Sequence, residues 1–288
     1  MRGNADAHQL IAPGSLAAVL RLMADEPGVW TPFAGGTELM VMHSVGRLGA
    51  KKLVSLGNIS ELSFLRDAQD WFSIGAGTTF RQLRSSEPLL RNFPLLAEAA
   101  TWIGTIANQS RATIGGNIVN GSPAADSPPA LLVYDAEIEL ISARGSRRLP
   151  YSAFHTGYKE NLLAKDELLC AMHLPKKFAG FKQYQRKVGT RRALAISKVA
   201  MAAVARMDGG VMRSVRVAAA SLAPYPARML KTEAVLEGAK LNTQTIAAAR
   251  AALLSEAKPI DDIRSTAEYR RVVGANLVLE LLEKWGRP

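Results

Sequence analysis

Residues 32–39 read Pro-Phe-Ala-Gly-Gly-Thr-Glu-Leu, and residues 113–117 read Thr-Ile-Gly-Gly-Asn. Glycine has no Cβ and tolerates positive φ, so the backbone N–H groups of a Gly-Gly pair can turn into one concavity and approach an anion closely. A single Gly-Gly is ordinarily a turn. Here there are two, roughly eighty residues apart, each flanked by side chains able to hydrogen-bond a ligand: Thr37 and Glu38 after the first, Thr113 before and Asn117 after the second. Such a pair suits a long ligand with a pyrophosphate at its middle.

The pattern around the first doublet supports a strand feeding a tight loop. Residues 29–33 are short, β-prone and run directly into Gly35, and a helix is predicted from Thr37 onward. Upstream, Ser15 is an N-cap for a helix over residues 15–25, which Pro27 and Gly28 end. Strands are predicted at 52–56 and 71–74. The second of these enters Gly75-Ala-Gly77-Thr-Thr-Phe80, which has the first two glycines of a GxGxxG fingerprint but Phe80 in the third place, and reads as a strand-end turn. Helices are expected to begin at Phe80 and to run over 89–106. The alternation of Glu137 and Glu139 with apolar neighbours predicts a half-exposed strand over 133–142, and 168–174 is another, ended by Pro175. Residues 196–207 and 211–222 read as paired strands joined at Asp208-Gly209-Gly210. The clearest helices are 243–257 and 266–285.

At 288 residues the chain accommodates two medium domains, and 48% apolar with 21% charged residues is ordinary for a packed protein. Its net charge of +11 would by itself suggest an anionic partner. The excess is local: residues 1–175 hold 15 basic and 16 acidic side chains, residues 176–288 hold 21 and 9. Between Glu167 and Asp208 there is no acidic residue, while Lys176, Lys177, Lys182, Arg186, Lys187, Arg191, Arg192, Lys198 and Arg206 fall in that stretch. One cysteine, Cys170, excludes an intramolecular disulfide and any cluster held by this chain's own thiolates; it reads as a small core residue. Four scattered histidines carry no metal-ligand spacing, so no metal is expected in the chain. No signal-peptide core or membrane-length apolar run is present, and the expected location is cytoplasmic. With neither a P-loop nor a GxSxG elbow, kinase and hydrolase readings have no support.

Taken together, residues 32–39 and 113–117 resemble the paired FAD-binding motifs of the flavoprotein subunits of molybdenum hydroxylases, the family of the xanthine dehydrogenase FAD subunit and the carbon-monoxide dehydrogenase medium subunit. The resemblance runs nearly end to end, through Ile74-Gly-Ala-Gly-Thr-Thr-Phe80, Ser122-Pro-Ala-Ala-Asp126, Leu168-Leu169, Phe181-Lys182-Gln183 and Ala267-Glu-Tyr-Arg-Arg271. It implies an α+β fold: a two-subdomain FAD-binding domain of the vanillyl-alcohol oxidase or PCMH type over 1–175, then a smaller α+β C-terminal domain over 176–288. It further implies that Pro32, Phe33, Ala34, Gly35, Gly36, Thr37, Glu38 and Leu39 wrap the pyrophosphate and that Thr113, Ile114, Gly115, Gly116 and Asn117 close the other side. Ile103 would touch the cofactor, Asp126 would make a polar contact on the flavin side, Leu169 would pack near the ring, and Lys182 would offer a positive charge. No catalytic side chain is implied, because a bound flavin carries the chemistry.

The resemblance also implies partners. An iron–sulfur subunit would deliver electrons taken from substrate at a molybdopterin subunit, and NAD+ or another acceptor would receive them. Two other readings compete: a free-standing FAD-dependent oxidase, which would need its own substrate pocket and base, and a basic nucleic-acid or protein docking module. Few aromatics accompany the basic stretch, so nucleic acid ranks last, and the C-terminal charge is expected to serve solubility and docking to a more acidic partner.

Overall fold

The computed structural model describes residues 3–191 and 194–286; Arg192 of the basic stretch lies outside them. Strands β1 (Gln9–Ile11), β2 (Trp30–Phe33) and β3 (Lys52–Ser55) form a parallel sheet in the order β1-β3-β2. Parallel neighbours need a crossover, and the helix Leu16–Asp25 supplies the first. Ser15 caps it, its Oγ accepting from the Ala18 N–H at 3.2 Å. The helix buries Val19, Leu20 and Met23 in a small core with Trp30, Val54, Ile59, Leu62 and Leu168. This first lobe exists to hold the end of β2, where the chain turns into Gly35.

The second lobe is an antiparallel sheet of β4 (Leu65–Asp67), β5 (Trp71–Gly75), β6 (Glu137–Ser142), β7 (Gly145–Pro150) and β10 (Leu168–Pro175), ordered β4-β5-β10-β6-β7. A two-stranded ribbon, β8 (His155–Gly157) with β9 (Glu160–Asn161), leads into β10. Side chains alternate across the sheet as a period of two requires: Phe72 and Ile74, Ile138 and Leu140, Met172 and Leu174 all point into the core beneath a helical layer. The helix expected over 89–106 is broken into Glu87–Asn92, Pro94–Thr101 and Ile106–Gln109. Pro94 has no N–H to continue a helix; Phe93 leaves helical geometry, and Gly104 turns at φ +49°. The strand expected from 133 begins only at Glu137, because Pro128–Val133 is a fully buried helix that ends where Asp135 adopts φ +48°.

The C-terminal part is an antiparallel sheet of β11 (Lys182–Val188), β12 (Val199–Asp208), β13 (Val211–Ala220) and β14 (Ala227–Arg228). The β12–β13 hairpin turns at Asp208-Gly209-Gly210, with both glycines at positive φ. Both faces of this sheet are buried, which explains its unusually alanine-rich strands. Ala202, Val204 and Ala218 pack into the second lobe's core against the helix Pro128–Val133. The alternate residues Met201, Ala203, Ala205, Val217 and Ala219 pack under the helices Thr243–Glu256 and Ala267–Gly286. The architecture is α+β, as the sequence led us to expect. Among the described residues no helix is long and apolar enough to cross a membrane.

Candidate cofactor-binding site

The two lobes enclose a cleft of about 480 Å³. One wall is the turn after β2. Gly35 there crosses so close to the second lobe that a Cβ would lie 1.9 Å from the Arg111 carbonyl oxygen, and Gly36 has φ +72°. Each is therefore required to be glycine, the first by contact and the second by backbone conformation. The N–H groups of Gly35, Gly36 and Thr37 have no acceptor among the described residues. These donors line the cleft and are open to it, so the turn can take an acceptor from outside the chain.

The second Gly-Gly works differently. It opens the short helix Ile114–Val119, capped by Thr113, whose Oγ1 accepts from the Gly116 N–H at 3.2 Å. The Ile114 and Gly115 N–H groups donate to the Thr78 and Ala76 carbonyls at 3.0 and 2.9 Å. Its amides are thus largely spent inside the protein. Gly115 serves close packing, since a Cβ would sit 2.6 Å from that of Ala76, and Gly116 leaves the cleft wall open. Asn117 is oriented by accepting from Ser127 Oγ at 2.7 Å.

Most of the residues singled out in the sequence come together on this cleft: Pro32, Ala34, Gly35, Gly36, Thr37, Glu38, Leu39, Ile103, Thr113, Gly115, Gly116, Asn117 and Leu169 all line it. Phe33 and Ile114 support the wall from behind; Phe33 packs beneath Gly36 and Ile114 is wholly buried in the second lobe. Asp126 and Lys182 are not on the lining. Lys182 is exposed at the start of β11. Asp126 is buried between the N-terminal lobes and the C-terminal sheet, where it accepts from Lys187 Nζ at 2.6 Å and Ser197 Oγ at 2.5 Å. Burial pushes its carboxyl above the ordinary carboxylate range, against the pull of Lys187 and Ser197. Lys187 donates as well to the Trp102 carbonyl at 3.2 Å, next to Ile103 of the lining. Among the described residues of the basic stretch, the buried cation is therefore Lys187. Register on β11, invisible to composition, chooses it.

Sequence reasoning also missed Trp30, Gly77, Asn120, Leu163, Lys165 and Glu167 on the lining. Gly77 belonged to a motif already noticed; the others carry no local signal. Glu167 is gripped by Arg147 through two bonds of 2.7 and 2.8 Å, and this pairing holds its carboxyl below the ordinary range. Among the described residues no group of three or more His, Cys, Asp or Glu is arranged to hold a metal.

A two-lobed FAD-binding domain, clasping a cleft with an unspent glycine turn and backed by an α+β domain, defines the flavoprotein class of oxidoreductase. The chain belongs to the family of FAD-binding domains in molybdopterin dehydrogenases, whose model matches residues 6–177, and residues 182–285 match the C-terminal domain of carbon-monoxide dehydrogenase flavoproteins. It is 35% identical over 260 residues to the xanthine dehydrogenase FAD-binding subunit of Escherichia coli O157:H7, covering 89% of this chain and 88% of that one. It is 27% identical over 281 residues to the carbon monoxide dehydrogenase medium chain of Hydrogenophaga pseudoflava, covering 96% of each. The solved carbon monoxide dehydrogenase from that organism superposes with a TM-score of 0.93 at 28% identity over 98% of both chains. FAD fits the donors present: a diphosphate supplies the acceptors that residues 35–37 lack, and Ile103 and Leu169 give apolar surface for a planar ring.

Proposed function

We propose that this chain is the electron-transferring FAD subunit of a molybdenum hydroxylase complex. In this reading a partner iron–sulfur subunit delivers electrons that a molybdopterin subunit takes from substrate, and NAD+ or another carrier removes them. The observation that carries it is the unspent run of N–H groups at Gly35, Gly36 and Thr37 facing Gly116 across one cleft. Residues 32–39 would hold the diphosphate, Thr113 to Asn117 would bound its far side, and Ile103 and Leu169 would flank the ring. Phe33 and Ile114 would act from behind the wall, and Asp126 through Lys187, with Lys182 left to the surface. Bound FAD supplies reversible electron storage; the protein supplies binding, orientation and local charge. The family matches meet between residues 177 and 182, so we place the domain boundary near Pro175, giving 1–175 and 176–288.

A free-standing oxidase would need a base beside its substrate. The buried carboxylate on the wall, Glu167, has both oxygens engaged and its proton affinity lowered by Arg147, which makes it a poor base for substrate and favours electron transfer. The full chain reconstituted with FAD should show flavin absorbance at close to one equivalent, and Gly35→Val should lose it. Undiminished flavin in the variant would overturn the cradle assignment. Coexpression with iron–sulfur and molybdopterin subunits of the same family should yield one complex; substrate turnover by the isolated chain would favour the oxidase.

A further inference from the structure

The ligand proposed for the cleft brings a doubly charged diphosphate, so the charges on the walls matter. Among the described residues the lining carries three: Glu38, Lys165 and Glu167. Two are carboxylates, which would repel the ligand, and each has its own counter-ion. Glu167 is paired with Arg147 at 2.7 Å, and Glu38 lies 4.0 Å from Lys159. Lys165 has none: among the described residues no carboxylate lies within ion-pair distance of its ammonium and no side-chain hydrogen bond engages it. Its neighbours Asp166 and Glu167 are both committed elsewhere, Asp166 to Arg144 and Glu167 to Arg147.

The backbone places Lys165 deliberately. Its carbonyl accepts from the Gly28 N–H at 3.1 Å, tying the segment before β10 to the turn that precedes β2. Its aliphatic stem packs across Gly28, where a Cβ would lie 3.0 Å from Lys165 Cδ and where φ is +78°. Glycine at 28 thus both makes the turn and leaves room for the stem. Among the described lining residues Lys165 is the one cation; Arg111, at the glycine turn, donates to the Gly35 carbonyl at 3.4 Å.

We infer that Lys165 is a cofactor-binding residue that offsets the negative charge FAD brings into the cleft and so sets how tightly it is retained; this rests on the FAD reading above. The glycine turn supplies geometry through neutral N–H donors, and Lys165 supplies net charge. Because Lys165 is largely solvent-exposed, its contribution is screened by salt.

The test is FAD titration of the full apo chain, followed by quenching of flavin fluorescence, at low and high salt. Lys165→Met keeps the stem over Gly28 and removes the charge. It should weaken binding about fivefold at low salt, a loss typical of an exposed charge contact, and the difference should shrink at high salt. Lys165→Arg should bind like the parent, and Lys165→Glu should bind more weakly than Lys165→Met. Thermal unfolding of the apo forms should stay the same, which a merely structural role would not predict. Equal affinity of Lys165→Met and parent, or a loss that persists undiminished at high salt, would overturn the inference while leaving the FAD reading intact. A parent chain that takes up no FAD would overturn both.

Discussion

Asp126 and Lys187 illustrate how a single pair joins two parts of the chain. Both side chains are about nine-tenths buried and 2.6 Å apart, and Ser197 and the Trp102 carbonyl complete their hydrogen bonding. Removing one partner of such a pair typically costs about 3–5 kcal/mol, because the other charge stays buried and unpaired. Lys187→Met should therefore lower the melting temperature by roughly 10 °C, whereas Lys187→Met with Asp126→Asn should recover part of the loss; calorimetry of the three variants checks this. His155 is a second informative residue. It is buried against the rings of Tyr151, Phe154 and Tyr225, and its Nδ1 has no partner. Burial lowers its proton affinity below the ordinary histidine value, as it does for His173. Each histidine therefore takes a proton less readily folded than unfolded. The stability they contribute is complete above about pH 6.5 and is lost as pH falls below it, at up to about 1.4 kcal/mol per pH unit for each. Melting temperature should fall between pH 6.5 and 5, and His155→Phe should flatten that decline. A profile unchanged by the substitution would show that His155 is not a source of it.

At the scale of elements, β12 serves two cores at once. Ala202 faces the helix Pro128–Val133 and the second lobe, while Ala203, one residue on, faces the C-terminal helices. Adding three carbons to a closely packed position costs about 1–3 kcal/mol, so Ala202→Leu and Ala203→Leu should destabilise alike. Only Ala202→Leu pushes toward the lobe that carries the cleft, and only it should also weaken FAD retention, measured as flavin content after gel filtration. Equal flavin content in the two would mean that the sheet's two faces act on the cleft no differently. These strands were legible because a Gly-Gly turn between two β-capable runs is a local signal, as was Ser15 before its helix. The breaks at Phe93 and Gly104 were not legible, since apolar spacing continues through them and only tertiary packing sets the new direction. The cleft followed the same division. Residues 32–39 and 113–117 announce themselves by glycine, yet the second stretch proved to be a capped helix start with its amides spent. Lys165 and Glu167 depend on how the turn before β10 is set and Lys187 on which way β11 faces, and none carries a mark in the linear sequence.

Across the whole molecule, two hydrophobic cores meet around one cleft: the first lobe contributes its wall at residues 32–39, the second its wall at 112–120, and β10 leaves the lining at Leu169 to enter the central sheet. The C-terminal domain reaches the cleft only indirectly, through Lys187 and through Ala202, Val204 and Ala218, which share the second lobe's core. The charge asymmetry follows these divisions: residues 1–175, which carry the cleft, are near neutral, and the basic excess lies in 176–288. Because the cleft's walls come from separate segments, a ligand that spans it stabilises their assembly. At free FAD one hundred times its dissociation constant, the linkage is about 2.7 kcal/mol, or roughly 5–10 °C in melting temperature for a chain of this size. Riboflavin, which has no diphosphate for residues 35–37 to bind, should give a much smaller shift at equal concentration. If the C-terminal sheet is coupled to the lobes as its shared core requires, FAD should move a single cooperative transition. Two transitions, of which FAD moves only the one belonging to residues 1–175, would show that the alanine face and the Asp126–Lys187 pair do not transmit binding across the boundary.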